Sequence, residues 1–542
     1  MNPVAIFLII LFTAANSFSF FVGLAKTPPG NVFLGTVHYP PDFFFYLSQI
    51  AQGKMTGFWT YNLFTSERAG PTLLGWEYAL MGRIGSTFFL SPVITYQLAV
   101  AVATVVFLVV SYKLITTLFP KNTTAQLVTF TLFLLSNAFP KLYYEGSRLV
   151  YSYYYPWNNF GHPFERLANV PHHILTQAAI AGTFFLFISW WNNPQKTRWY
   201  LVWAGVLGFF LGGVQPVQWI LLATVILLTG FFVIYKKRHE IKNHLFSLLR
   251  TVYAPLVVFF LSGAPIAWYI KQAVAVPPYS VTAAWEAGSQ VHIPLRADII
   301  LNGPLCLIAL VGIPIYFRKR SLSTIVLFIY AALSFGIYRS LLPDNLGILN
   351  VRFQSAFHTL FLATATVFVI IEIARHTKKY ASAVSWILAF ASIGITLGVT
   401  KQQFIERNDF RPSDPSVYLS KNVMPAFSQA TKLSTFDDTF LVMPPLADPF
   451  PAFTNRRVFW ASANVRSTIN FNEKDMLMNK FYGHQMTEEE KAAFFRKYGI
   501  TFVAAFAWSP TDSPLLERVY QNDFLILYKV HTGVALLRNK KD

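Results

Sequence analysis

The stretch "GTVHYPPDFFFYLSQIAQG" places one carboxylate, Asp42, after two prolines and before four aromatics, with His38 just upstream. Two chemistries suit it. Asp42 can cap the helix "DFFFYLSQIAQG", which would open at Asp42 and close at Gly53, by accepting backbone N–H bonds beside the helix dipole. It can equally act as a general base, a role worth roughly 10²–10⁴-fold in rate. The two are compatible, because a cap also fixes the position of a carboxylate. His38 and Tyr46 flank it and are candidates to contact a substrate.

A second group of residues is cationic. Arg148, Arg166, His172 and His173 cluster ahead of and into one apolar run, and Arg352 opens another in "LNVRFQSAFHTLFLATATV". Arginine's planar fork can hold two phosphate oxygens at once. The same side chains also snorkel to lipid headgroups, so each reading stays open. His172 and His173 are adjacent, so only one easily faces a common site. A histidine pair without further ligands is no zinc motif, and no Asp-x-Asp is present in the loops. No metal site and no cofactor are expected. The segment "KLYYEGSRLVYSYYYPWNNFGHPFERLANVPHH", with Glu145 and Trp157, reads equally as an interfacial aromatic belt and as a sugar-binding surface. Glu286, in "PPYSVTAAWEAGSQVHIP", lies in a loop able to cover a lipid.

What must position these residues is a membrane. The chain has 542 residues, 54% of them hydrophobic and only 13% charged, against about 25% charged in soluble proteins. About eleven runs approach the roughly 20 apolar residues a span needs: 3–23, 92–118, 123–140, 172–191, 198–214, 216–235, 249–270, 297–317, 322–340, 352–374 and 382–400. The run at 3–23 lacks a basic leader and reads as a retained anchor. Basic clusters follow every even-numbered span ("FPKN", "NNPQKTRW", "KKRHEIKNH", "FRKRS", "ARHTKK"). By the positive-inside rule they face the cytoplasm. That puts the N-terminus in the cytoplasm and explains most of the net charge of +19 without nucleic acid. The single cysteine, Cys306, sits in an apolar run and reads as an inert core thiol.

The expected layout is a transmembrane domain over 1–401, with outer loops 24–91, 141–171, 271–296 and 341–351, and a soluble extracytoplasmic domain over 402–542. In the tail, "DTFLVMPP", "GITFVAAF" and "DFLILYKV" have strand length. "TEEEKAAFFRKYG" carries a capping box, Thr487 with Glu490, and a stop at Gly499. The tail therefore reads as α/β. It shows no nucleophile–base pair, metal cluster or phosphate loop, which leaves binding or shielding as its task. The stretch "GPTLLGWEYALMGRIG" resembles a second interfacial helix, from Pro71 to Gly85.

An outer loop directly after the first span, opening on an acidic residue followed by aromatics and a helix, resembles the GT-C superfamily of membrane glycosyltransferases. "HYPPDFFFYLSQI" is similar to the His-Pro-Asp or Asp-Glu motifs several of those families carry there. Phe43 stands where many members have a second carboxylate. The resemblance implies a polytopic α-helical protein with an outer α/β tail. It also implies a polyprenyl-phosphate-sugar donor and transfer to a hydroxyl on a glycan, lipid or protein acceptor at the outer face of the plasma (inner) membrane. Asp42 would be the base. Arg352, Arg148, Arg166, His172 and His173 would bind donor phosphate, and His38, Tyr46, Glu145, Trp157 and Glu286 would contact substrate. Two other classes share the layout: a flippase for lipid-linked glycans, which should carry intramembrane charge or repeat symmetry, and a non-catalytic assembly protein.

Overall fold

The computed structural model describes residues 1–153, 160–193, 198–319, 321–377, 380–462 and 468–531. Among them, eight helices are long and apolar enough to cross a membrane: Pro3–Ala25, Pro92–Leu118, Pro171–Asn192, Pro216–Lys236, Leu248–Val274, Leu295–Arg318, Leu322–Arg339 and Ala356–Arg375. A ninth is available if Ala381–Gly394 and Leu397–Arg407, bent by 54° at their junction, form one span. The protein is an integral membrane protein. Four spans begin on a proline, whose missing N–H and fixed φ suit the first helical turn.

The expected third and fifth spans are helical but short, Thr123–Leu135 and Trp199–Val214. At 1.5 Å per residue, 13 residues reach about 20 Å, less than the roughly 30 Å hydrocarbon core. Ten residues of Thr123–Leu135 are buried, so it is surrounded by protein rather than lipid. The count of eleven thus becomes eight or nine spans and two short apolar helices.

The chain divides into two compact units. One comprises Met1–Ser17, Val100–Lys271 and Glu286–Arg407; the other comprises Phe18–Ala99, Gln272–Trp285 and Asn408–Asp542. The loop expected to belong with the spans, 24–91, is therefore grouped with the tail. Hydrogen bonding explains it. Strand Asn31–Phe33 pairs antiparallel with Tyr418–Ser420. Buried Arg457 donates to the carbonyls of Asn62 (2.7 Å), Thr65 (3.3 Å) and Glu67 (3.0 Å). Lys474, fully buried, donates to Thr65 Oγ1 at 3.1 Å and pairs with Glu67.

Within that unit two helices pack side by side, Pro40–Thr56 and Trp76–Thr87. Gly53 does not end the first helix; it lies inside it. A Cβ there would stand 2.0 Å from the Ala79 carbonyl, and one on Gly82 would stand 1.9 Å from that of Ile50. Both glycines are required by this close approach. The second helix starts at Trp76, five residues beyond the expected Pro71, after Gly75, which takes φ +78°.

The tail is α/β as expected. Ile500–Phe506 runs down the middle of a five-stranded sheet, parallel to Thr439–Val442 and antiparallel to Leu525–Val530. Arg457–Val458 and Leu516–Gln521 form the edges. Helix Glu488–Tyr498 has the Thr487/Glu490 capping box and stops at Gly499, φ +62°.

Candidate functional site

Two constellations, one in each unit, hold seven of the eleven sequence-predicted residues: Asp42, His38 and Tyr46 in one, and Arg352, Glu286, His172 and His173 in the other. The first surrounds Asp42. The helix starts at Pro40, so Asp42 occupies its third position and is not the N-cap; that position is Tyr39. Asp42 is half-buried. His38 Nε2 and the Tyr96 hydroxyl are hydrogen-bonded at 2.7 Å. Tyr96 is fully buried, and Asp42 lies close enough for its charge to act on the phenol. Tyr46 stacks on Tyr78 with centroids 4.6 Å apart and an 8° tilt, and Tyr78 stacks in turn on Tyr96 at 6.4 Å and 7°. His38 also meets Phe43 edge-on at 5.7 Å. The structure thus brings Asp42, His38 and Tyr46 together and backs them with a rigid wall of near-parallel tyrosines.

Sequence reasoning did not single out Tyr96, Tyr78 or Glu77 as site residues. Glu77 is a carboxylate on the neighbouring helix, Trp76–Thr87. It is buried, and its Oε2 has no hydrogen-bond partner among the described residues. Burial pushes its carboxyl up to about 7, against a smaller opposing effect of its own backbone N–H. The available signal was a carboxylate inside an otherwise apolar helical stretch, "LLGWEYALMG".

The second constellation surrounds Arg352. This residue does not open its span; it sits in a 3-10 turn, Asn350–Phe353, ahead of Ala356–Arg375. The turn is held at several points. Asn350 Nδ2 donates to the Val291 carbonyl at 2.9 Å, and Val291 N–H donates back to Asn350 Oδ1 at 3.0 Å. Gln218 Nε2 donates to the Arg352 carbonyl at 2.7 Å, and the Tyr330 hydroxyl donates to Gln218 Oε1 at 2.8 Å. Ser355 caps the following span with His358 as its reciprocal partner. Arg352's side chain is therefore projected from a fixed backbone.

That guanidinium meets Glu286 in a two-point ion pair: Nε to Oε2 at 2.9 Å, and Nη2 to Oε1. His173, half-buried, lies near enough for the Arg352 charge to act on its ring, and it lies against His172 with ring centroids 4.2 Å apart. Val351 and Gln354, which bracket Arg352, help line a cavity of about 410 Å³. Its walls are apolar, with Leu310, Ile313, Phe328 and Phe361 among them, while Ser355, His358 and Asp298 add polar groups. The chemistry on offer is an oily chamber walled in part by the chain neighbours of an arginine that already engages a carboxylate.

Other expected site residues lie elsewhere. Arg166 is buried, and its two terminal nitrogens donate to the carbonyls of Phe160, Gly161, Leu134 and Ser136. Those four bonds tie Arg166 to the backbone of the two segments around it. Glu145 lies on an exposed hairpin strand, Lys141–Glu145, in register with Arg148. The Arg148 side chain and Trp157 lie outside the described residues. Among the described residues no three His, Cys, Asp or Glu side chains are grouped to hold a metal ion.

Compared with solved structures, the chain is similar to the Archaeoglobus fulgidus oligosaccharyltransferase in its apo form. Identity is 12% and the TM-score 0.54, over 93% of this chain and 69% of that one. It is also similar to the archaeal oligosaccharyltransferase AglB from Archaeoglobus fulgidus in complex with an inhibitory peptide and a dolichol-phosphate (11%, TM-score 0.51, 92% and 69%). A third likeness is to ArnT from Cupriavidus metallidurans bound to undecaprenyl phosphate (11%, TM-score 0.50, 98% of both chains). The chain shares the overall fold of these membrane proteins. At these identities the likeness establishes architecture and leaves activity to be argued from the residues. No family model matches the chain, and no curated protein sequence matches it.

Proposed function

We propose that this GT-C protein is a membrane glycosyltransferase that moves a sugar from a polyprenyl-phosphate donor to an acceptor hydroxyl on the extracytoplasmic face. The observation that carries the reading is the apolar cavity lined by the two residues that bracket Arg352. An isoprenoid chain needs an oily chamber, and its phosphate needs a fixed cation. Two neighbours of the same fold were solved with such lipids, dolichol-phosphate and undecaprenyl phosphate. The basic loop clusters support the orientation that faces the tail outward.

In this reading Asp42 accepts the proton of the acceptor hydroxyl as its oxygen attacks the anomeric carbon. The bond from that carbon to the phosphate oxygen breaks, and the lipid phosphate leaves with the electron pair. Arg352 offers two N–H donors to the charge that develops on the phosphate. The tyrosines around Asp42 keep its side of the reaction dry and oriented. His173 assists at the phosphate; Glu286 competes with it for Arg352. No metal or other cofactor is assigned a step.

The test is a transfer assay in proteoliposomes supplied with lipid-linked sugars from the host membrane. Asp42→Asn should cut turnover by roughly 10²-fold or more while leaving donor-lipid binding within twofold. Turnover at the parent rate would remove Asp42 from the chemistry.

A further inference from the structure

The tail carries an aromatic platform that the transfer reading does not use. Trp508 follows the central strand, in the connection between Ile500–Phe506 and Leu516–Gln521, and is 63% exposed. It is nevertheless rigid. Its indole stacks on Phe506 with centroids 4.5 Å apart and a 9° tilt. Phe524, from the turn before the last strand, is perpendicular to both rings, at 5.0 Å from Trp508 and 5.5 Å from Phe506. A ring so nearly equidistant from two stacked partners stands beside the stack and covers neither outer face. One indole face is therefore held by Phe506 and the other is open to solvent. Backbone bonds fix the arrangement: Ala507 N–H donates to the Phe524 carbonyl and Ser509 N–H to the Phe506 carbonyl, both at 3.0 Å.

We propose that this platform binds the apolar face of a pyranose ring. A flat, preorganised aromatic face gives contact area at little entropic cost, and its negative π-surface attracts the slightly positive C–H groups along one side of a sugar ring. A sugar also needs hydrogen-bonding groups at the rim, few and polar. Ser509, next to Trp508 in the chain, and Asp523, next to Phe524, carry such groups.

Charge decides between occupants. Neither loop, 507–515 or 521–524, contains a lysine or arginine, while Asp512 and Asp523 are exposed; Arg518, on the strand between them, donates to Gln521 Oε1 at 2.8 Å, so two carboxylates stand against one engaged cation. An anionic lipid surface is thus disfavoured, and a neutral or amine-bearing saccharide is not. Binding is one of the two tasks that the sequence leaves to the tail. The inference does not rest on the transfer reading. A sugar held through Trp508 in a protein that transfers nothing would keep this proposal and sink the other.

The experiment uses the full-length protein in nanodiscs of zwitterionic lipid. Saturation-transfer difference spectra are recorded with the methyl pyranosides and trisaccharides of glucose, galactose, mannose and N-acetylglucosamine. At least one ligand should receive saturation mainly at the protons of a single ring face. Trp508→Ala should weaken its binding at least tenfold, and Trp508→Phe, which keeps a flat ring, by about threefold. The thermal unfolding midpoints of both variants should match the parent's. The proposal is overturned if no saccharide in the panel shows Trp508-dependent transfer. It is equally overturned if only a lysine-rich peptide, or nanodiscs of anionic lipid, respond to loss of Trp508.

Discussion

Glu286→Gln should tighten donor-lipid binding, an effect opposite to that expected from losing a substrate contact. Arg352 meets the Glu286 carboxylate through two nitrogens, the geometry it would use for a phosphate. A lipid phosphate must displace that carboxylate before it can occupy the fork. The pair is partly solvated, with side chains 30% and 22% exposed. Fully exposed ion pairs contribute about 0.2–1 kcal/mol, and charge-assisted two-point bonds run higher. A value of about 1–2 kcal/mol suits this position, which corresponds to roughly a 5- to 30-fold gain in affinity when the competitor is neutralised.

Glutamine keeps the shape and a hydrogen-bond acceptor, so Arg352 stays in place. The assay is titration of short-chain polyprenyl phosphate into nanodisc-embedded protein, read by native mass spectrometry at two salt concentrations. The gain should shrink at high salt, because the competing interaction is electrostatic. Unchanged or weaker binding in Glu286→Gln would refute the idea that the carboxylate occupies the phosphate's place. Glu286 would then be holding Arg352 in position for the ligand.

Two further outcomes concern stability. Glu77 has its carboxyl raised from 4.5 to about 7 by burial, so the folded state holds a proton that the unfolded state releases. Stability is therefore full below about pH 4.5 and falls as pH rises toward 7, by at most about 3 kcal/mol. Thermal-inactivation midpoints between pH 5 and 8 should decline in the parent and flatten in Glu77→Gln; parallel slopes would contradict the burial argument. Arg166→Ala leaves four buried carbonyls without their donor and should cost about 3 kcal/mol or more, seen as loss of monodisperse protein in detergent. Lysine should not rescue it, since one ammonium lacks the fan of donors that reaches both Phe160–Gly161 and Leu134–Ser136.

Elements set by local pattern were legible in the sequence. The capping box at Thr487 and the stop at Gly499 concern neighbouring residues, and the long spans announce themselves by composition. Features set by distant contact were not. Gly53 looked like a helix stop because nothing local reveals that its missing side chain admits the Ala79 carbonyl. The Asn31–Phe33 strand is three residues long and gains its meaning only from Tyr418–Ser420, almost four hundred positions away. Tyr96 lies at the head of an apolar span, and its partner His38 is 58 residues earlier. Arg166 and Arg352 look alike as loop arginines. Only the three-dimensional surroundings separate one saturated by carbonyls from one projected toward a carboxylate beside an oily cavity. The polar residues inside apolar helices, Gln177, Gln218 and His358, were the overlooked signal, since such groups are rare in membranes without a task.

The measurement that bears most directly on the central claim is native mass spectrometry of gently purified protein, wild type beside Arg352→Ala. The account predicts a co-purifying or readily acquired polyprenyl phosphate on the wild type, and its loss, or at least a tenfold weaker uptake, in the variant. A wild-type protein that neither retains nor takes up such a lipid would contradict the glycosyltransferase reading. Equal uptake by both proteins would remove Arg352 from the phosphate site.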